Sequence, residues 1–332
     1  MIVKRILVVG AGPAGCSGAY SASRLGAEVL LVDIKKNIGE PVRSAELVPK
    51  LLKRTVDFKP IQTISNLVTV LNGKEYVVSS PAYMVDRREF DRHLVSLAIR
   101  AGAKVSMDTK LSFNGNETLI NGIKSEFDFI IGCDGPSSFV GRHIGIKNMD
   151  FMFGIQGEYV LEKRLEDAYI FLDKKYVYGY AWLFPKGEYA NVGLGISLKY
   201  SRESKRLLEG FVKMLVERKY IVNDSFITHT SGLIPCGGIL TPCKNNILLA
   251  GDACGLAHPI TGAGIAYACE SGILAGKNAS EGSAEKYKLE IMERYHETFE
   301  RGRRKRKFLK ENWNNFDETI RKCWPCFEEY NK

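Results

Sequence analysis

Near the N-terminus, Gly10-Ala11-Gly12-Pro13-Ala14-Gly15 sets three glycines at the spacing of a phosphate-binding turn. The turn follows an apolar run, Arg5 to Val9, and opens a stretch of helical composition, residues 13 to 25, that Gly26 closes. Gly10 permits a tight turn, Gly12 lets a pyrophosphate approach the backbone, and Gly15 lets helix and strand pack closely. Pro13 suits the first helical turn, where its missing N–H would have no partner anyway. The helix start around Ala14 offers N–H groups and a partial positive charge to phosphates. Asp33 ends the next apolar run, Glu28 to Asp33, and a carboxylate there accepts hydrogen bonds from an adenosine ribose. Strand, helix and acid fall in register for a dinucleotide-binding βαβ unit.

That motif alone does not separate FAD from NAD. Two later stretches point to FAD: Cys133-Asp134-Gly135-Pro136-Ser137-Ser138 and Leu249-Ala250-Gly251-Asp252-Ala253. An acid at the carboxyl end of a buried strand faces the cofactor crevice, which makes Asp134, Gly135 and Asp252 candidates. Asp252 suits the ribityl or pyrophosphate part of an extended flavin. Pro259-Ile260-Thr261-Gly262-Ala263-Gly264-Ile265 then opens another helix. The N–H groups around Gly262, Gly264 and Ile265 would stabilise negative charge on a flavin pyrimidine edge. His258, just before this loop, is either structural or a proton relay. No second dinucleotide unit is apparent, so the electron donor is NAD(P)H on a brief visit or a protein such as ferredoxin.

A second chemical cluster lies in Ile38-Gly39-Glu40-Pro41-Val42-Arg43-Ser44-Ala45-Glu46, beyond the second strand. Its place at the carboxyl edge of the sheet makes Arg43, Ser44 and Ala45 cofactor candidates, with Ser44 a catalytic candidate as well. Tyr180, Trp182 and Phe184 alternate and so share one face of a strand. They form either plain core or the wall of a long apolar slot. Gly193 and Gly195 on the returning strand would let a flat ring or lipid approach the backbone.

These groups need an interrupted architecture. Arg87 to Arg100 has helical apolar spacing, and Ala103 to Val105, Phe127 to Gly132 and Asn246 to Gly251 read as further strands of the parallel sheet. Residues 151 to 197 alternate aromatic and polar residues with glycines, the texture of an antiparallel sheet. The fold class is therefore α/β: a Rossmann-like FAD-binding domain with a parallel sheet, an inserted β-rich substrate domain and a short helical C-terminus. The expected boundaries are 1–50, 81–145 and 236–300 for the first, 51–80 and 146–235 for the second, and 301–332 for a basic helical segment.

The chain has 332 residues, 45% hydrophobic and 26% charged, an ordinary globular balance without the bias of disordered chains. No run of about 18 apolar residues suggests a membrane span, and Met1 and Ile2 lead so soon into a strand that no signal peptide is expected. Eight scattered cysteines fit a reducing, cytoplasmic setting. Cys323-Trp324-Pro325-Cys326 lacks the further ligands zinc would need, and no metal site is expected. The net charge of +9 is partly concentrated in Arg301, Arg303, Arg304, Lys305, Arg306 and Lys307. That run is a solvated helix face, an anionic head-group site or a peripheral membrane contact on the cytoplasmic face. No nucleic-acid motif accompanies it.

Taken together, GAGPAG with Asp33, DRREFD at 86–91, CDGPSS, and LAGDA followed by PITGAGIA resemble FAD-dependent oxidoreductases related to aromatic hydroxylases. IGEPVRSAE and Gly179-Tyr180-Ala181-Trp182-Leu183-Phe184-Pro185-Lys186-Gly187 with ANVGLG at 190–195 narrow the likeness to the geranylgeranyl reductase family. The resemblance covers about residues 1 to 300 and implies that reduced FAD saturates isolated C=C bonds of polyprenyl lipids. It also implies FAD contacts at Gly15, Asp33, Ser44, Ala45, Arg87, Val105, Asp252, Gly264 and Ile265, and a prenyl site near Tyr180 and Trp182. The chain departs from the family in carrying Ser44 where cysteine is common, Val177 where a proline is usual, and fewer residues beyond 300 than many relatives. A flavin monooxygenase of an aromatic or polyene substrate shares the same three motifs, and a non-catalytic flavin or lipid carrier is the third reading.

Overall fold

The apolar runs that flank the glycine turn lie side by side and parallel. Ile6, Leu7 and Val8 are fully buried, as a strand covered on both faces must be. The computed structural model describes residues 3–331, so Met1, Ile2 and Lys332 lie outside the described residues. The chain divides into two units. One comprises residues up to Glu40, Arg87–Asp150 and Gly237–Glu300; the other comprises Pro41–Asp86, Phe151–Cys236 and the chain from Arg301 onward.

The first unit holds a six-stranded sheet in the order Cys243–Lys244, Ile247–Leu249, Phe129–Gly132, Arg5–Val9, Glu28–Val32, Lys104–Ser106. All neighbours are parallel except the two-residue strand Cys243–Lys244, which runs antiparallel to Ile247–Leu249. Helices Pro13–Arg24, Arg87–Arg100 and Ile265–Glu281 belong to this unit. The first and last pack almost backbone to backbone: a Cβ added to Gly272 would lie 2.1 Å from the Ala14 carbonyl oxygen, and one on Gly276 would lie 2.2 Å from that of Gly18. A small sheet of Leu111–Asn114, Glu117–Ile120 and Ile123–Ser125 completes the unit. Sequence patterning left it unassigned, although Asn121-Gly122, both at positive φ, is the usual two-residue hairpin signal.

The second unit is an eight-stranded sheet in the order Ile221–Pro235, Phe151–Leu161, Tyr189–Ser197, Tyr180–Lys186, Ala168–Leu172, Gln62–Leu71, Lys74–Met84, Leu47–Pro49. Only the Ala168–Leu172 and Gln62–Leu71 pair is parallel. Ala181, Leu183, Val192 and Leu194 share a core with Leu208, Phe211, Val212 and Leu215 of helix Ser204–Glu217. Strand alternation then turns Tyr180, Trp182 and Phe184 to the other face.

Three boundaries differ from the expected ones. Leu47–Pro49 pairs with Ala82–Met84, and this ladder goes with residues 41–50 and 81–86 lying in the second unit rather than the first. Residues 146–150 remain with the first unit, because Asn148 is bonded there. The basic run 301–307 is not a separate tail: it lies within one helix, Ala284–Glu311, and Phe316–Cys323 forms the next.

Candidate active site

The glycine turn is shaped by two kinds of contact. Gly10 has φ +102°, and a Cβ there would sit 2.4 Å from the Cys133 carbonyl oxygen. A Cβ on Gly15 would sit 1.8 Å from the Gly10 carbonyl oxygen, so these two glycines serve the packing of strand against helix. Gly12 is different. A Cβ there would meet nothing within 4 Å, which leaves an open cradle over the start of helix Pro13–Arg24. Helices Pro13–Arg24 and Ile265–Glu281 both begin at a glycine, Gly12 or Gly264, with no side-chain cap and no acid in the first turn. A group bearing negative charge satisfies such helix starts.

Asp33 is nearly buried and oriented by its own chain: Ala11 N–H donates to Oδ2 at 2.7 Å and Lys35 N–H to Oδ1 at 2.8 Å. A carboxylate accepts about four hydrogen bonds, so capacity for a ribose hydroxyl remains. Val105 pairs with Leu31 on the neighbouring strand, and the next carbonyl, of Ser106, accepts from Asp33 N–H at 3.1 Å. Arg87 Nε and Nη2 donate to Asp91 Oδ1 and Oδ2, both at 2.9 Å, in a largely buried bidentate pair. The pair fixes the guanidinium plane on helix Arg87–Arg100.

Asp252 carries the clearest sign of a missing partner. Among the described residues its carboxylate makes no hydrogen bond, and a Cβ on Gly264 would lie only 3.2 Å from Oδ1. Burial pushes its pKa up to about 6 against the opposing pull of Arg87. Asn148 donates to the carbonyls of both Pro136 and Asp252, each at 2.9 Å, and so ties the two strand-end loops together. The open space at Gly12, two uncapped helix starts and a half-buried carboxylate without a donor fit an extended flavin dinucleotide.

Asp134 is placed otherwise than expected. Its Oδ1 accepts from the Ser138 hydroxyl at 2.5 Å, and its Oδ2 from Phe139 N–H at 2.6 Å and Val140 N–H at 3.0 Å. Oδ2 thus caps the short helix Phe139–His143 while Oδ1 holds its N-cap residue Ser138, because a carboxylate at a helix start satisfies its free N–H groups first. Gly135, at φ +82°, makes the turn between strand and cap. His258 is also drawn into its own loop: Nδ1 accepts from Ile260 N–H at 3.4 Å and Thr261 N–H at 3.3 Å. Gly262, at φ +68°, donates its N–H to the His258 carbonyl at 2.8 Å, and this closes the turn that leads to Gly264 and Ile265.

In the second unit, the Ser44 loop is held by side chains. Ser44 Oγ accepts from Glu46 N–H at 3.0 Å, a local turn that helps hold Glu46 at φ +65°. Gln156 Nε2 donates to the Ser44 carbonyl at 2.8 Å while its Oε1 accepts from Trp182 Nε1 at 3.2 Å. Asn191 Nδ2 donates to the Ala45 carbonyl at 3.1 Å and to Glu46 Oε2 at 2.8 Å. Lys186 Nζ bonds Glu46 Oε2 at 2.6 Å and lies 3.3 Å from Glu158. Burial alone would lower the Lys186 pKa, but Glu46 and Glu158 outweigh it and hold it above the ordinary lysine value. Arg43 is exposed, its aliphatic part 3.8 Å from where a Gly232 Cβ would be.

Trp182 occupies the space that Gly193 leaves: a Cβ on Gly193 would lie 2.5 Å from the indole. The flat ring expected over these glycines is thus the chain's own. Tyr180 packs on Trp182 at 5.8 Å and edge-on against Trp324 at 4.9 Å, and Trp324 Nε1 donates to Thr69 Oγ1 at 3.2 Å. Gln156, Asn148 and Asp91 escaped the sequence reading as site residues. Asp91 sits in the quoted DRREFD motif at helical spacing from Arg87, but Gln156 and Asn148 bond partners more than a hundred residues away.

The chain matches the geranylgeranyl reductase catalytic domain over residues 157–232 and an NAD(P)-binding Rossmann-like domain over residues 8–64. It is 32% identical over 301 residues to a digeranylgeranylglycerophospholipid reductase of Methanocaldococcus jannaschii, covering 83% of this chain and 76% of that protein. With digeranylgeranylglycerophospholipid reductase 2 of Methanosphaera stadtmanae the identity is 33% over 312 residues, 85% of this chain and 79% of the relative. The fold is similar, at TM-score 0.86 and 24% identity over 97% of both chains, to a geranylgeranyl bacteriochlorophyll reductase-like protein from Thermoplasma acidophilum. Sequence relationship and glycine-built cofactor unit agree, and the chain belongs to the geranylgeranyl reductase family.

Proposed function

We propose that this protein reduces isolated C=C bonds in the geranylgeranyl chains of membrane ether phospholipids, with non-covalent FAD as resident cofactor. The observation that carries the reading is 32% identity across 83% of the chain to a relative named digeranylgeranylglycerophospholipid reductase. The backbone of Gly10, Gly12, Pro13, Ala14 and Gly15 would hold the pyrophosphate, and Asp33, beside Val105, the ribose. Asp252, steadied by Arg87 and Asn148, would accept from a ribityl hydroxyl, and the turn from Gly262 to Ile265 would face the ring's polar edge. Reduced FAD, when bound, supplies a hydride to one carbon of the alkene. Its electrons come from NAD(P)H or from a ferredoxin-like protein.

A proton must reach the other carbon. Burial raises the Tyr180 pKa well above the usual phenol value, so this hydroxyl keeps its proton and is a poor acid. A serine hydroxyl is poorer still, and Ser44 Oγ is engaged by Glu46 N–H. Water is therefore the proton source, and Ser44 positions the loop. Tyr180 and Trp182 supply apolar wall for the prenyl chain, Trp182 being oriented by Gln156. His258 shapes the loop ahead of Gly264 rather than relaying protons.

Anaerobic incubation of the dithionite-reduced protein with unsaturated ether lipids, read by mass spectrometry, tests this. A gain of two hydrogens per double bond is expected. Incorporation of oxygen in air would make the protein a monooxygenase, and lipid binding without turnover would make it a carrier.

A further inference from the structure

The function proposed above places the substrate in a bilayer, and among the described residues no helix is long and apolar enough to cross one. Stable attachment to a bilayer surface takes apolar side chains that enter the interface and cations that meet anionic head groups. Residues 301–307, the strand Ile221–Pro235 and the segment between Pro49 and Ile61 each offer at least one of these. Residues 301–307 offer charge, but much of it already has a partner within the chain. Arg301 and Lys305 lie over the Tyr330 ring, Arg306 is buried, and Lys307 is 3.8 Å from Glu311. On edge strand Ile221–Pro235, Val222, Phe226 and Ile227 are exposed, but Asp224 lies among them and the strand has no lysine or arginine.

The segment between Pro49 and Ile61 offers both. It leaves the sheet where Pro49 pairs with Ala82 and returns where Ile61 N–H donates to the Met84 carbonyl at 2.8 Å, so both ends are anchored on one stretch of strand. Leu52, Val56 and Phe58 turn inward as its buried base. Leu51, at 64% exposure, and Ile61, at 43%, turn outward among the exposed cations Lys50, Lys53, Arg54 and Lys59. None of these four cations is in an ion pair among the described residues, and the segment's one acid is Asp57. Apolar groups standing in water beside uncompensated positive charge lose least and gain most at an anionic interface.

We propose that residues 50–61 dock the protein on an anionic phospholipid bilayer, with Leu51 and Ile61 entering the interface and Lys50, Lys53, Arg54 and Lys59 meeting the head groups. The proposal rests on the lipid-reductase reading for its purpose but not for its measurement. Co-sedimentation of the full chain with phosphatidylcholine vesicles, either pure or mixed with phosphatidylglycerol as the anionic lipid, tests it without turnover. Each cation near the surface contributes about a fivefold gain in partitioning, so replacing all four by glutamine should weaken binding to anionic vesicles by more than a hundredfold. Leu51→Ser, which leaves the charge untouched, should weaken it by about tenfold. Arg301→Gln with Arg304→Gln should change it less than threefold, and added salt should weaken the wild type steeply. Both segment variants should reduce detergent-dispersed lipid at the wild-type rate. Equal binding to zwitterionic vesicles, no binding by the wild type, or loss through the 301/304 variant alone would overturn the assignment. Absence of turnover with detergent-dispersed lipid would count against the reductase reading and leave the vesicle result intact.

Discussion

The cofactor-binding turn and the Ser44 loop are both short irregular segments at strand ends, yet they are held in opposite ways. The turn from Gly10 to Gly15 is fixed by backbone against backbone, through positions where any Cβ would collide with a carbonyl. The Ser44 loop is fixed by side chains from three distant strands: Gln156, Lys186 and Asn191 bond the loop between Ser44 and Glu46. A backbone-built site leaves a periodic trace of glycines. One built from side chains leaves scattered polar residues whose partners appear only when strands meet. The two should therefore fail differently when disturbed.

The largest effect should come from Gly15→Val, which forces a side chain into the 1.8 Å approach to the Gly10 carbonyl. It should destabilise the cofactor unit by more than about 3 kcal/mol, seen as loss of the cooperative thermal transition. Gly12→Val is the matched control, because Gly12 has ordinary extended dihedrals and open space beside it. That variant should melt like the wild type yet lose at least a hundredfold in FAD affinity by fluorescence titration. Full FAD retention would break the assignment of the cradle.

Next, Lys186→Met removes the cation that faces the buried Glu46 carboxylate, to which Asn191 also donates. Removing one member of a buried ion pair costs roughly 3–5 kcal/mol, which urea denaturation would register. FAD affinity should hold if the loop and the cradle are built independently.

Asp252 gives an effect of about 3 kcal/mol that pH controls. Its pKa of about 6 in the folded protein exceeds the unfolded value near 3.8, so the folded state holds the extra proton between them. Stability of the cofactor-free protein from this group is full below pH 4 and is lost as pH rises through 6, about 1.36 kcal/mol per unit. Asp252→Asn should flatten that slope, raise the melting temperature at pH 8 and weaken FAD binding. An unchanged pH profile would show that the carboxylate has a partner already. The smallest effect should be Ser44→Ala. Losing one hydrogen bond to Glu46 N–H should cost about 1 kcal/mol in stability. Single-turnover reduction should slow by less than about tenfold, below the 10²–10⁴ of a positioned acid. A hundredfold loss with FAD bound would put the hydroxyl in the chemistry.

Much of the parallel sheet was legible because fully apolar runs between glycines admit few other placements, and helix Arg87–Arg100 has the expected bounds. The short sheet at 111–125 was missed because its strands are only three or four residues long and half exposed, too short for periodicity to register. Asp134 shows the limit for side chains. Its place after a strand marks it as a cofactor acid, but the helix that begins five residues later offers its carboxylate nearer donors.

By itself, the sequence determined the βαβ unit, the aromatic face of the strand Tyr180–Lys186 and the family to which the chain belongs. These follow from spacings within a few residues, where covalent geometry dictates which atoms meet. Tertiary structure alone decided which polar groups are spent and which are left over. Asp134 and His258 are taken up by their own loops, Trp182 fills the gap at Gly193, and the Asp252 carboxylate remains without a donor. A hydrogen bond forms with whichever donor lies within about 3 Å, and for Gln156, Asn191 and Trp182 that distance depends on segments well separated in the chain.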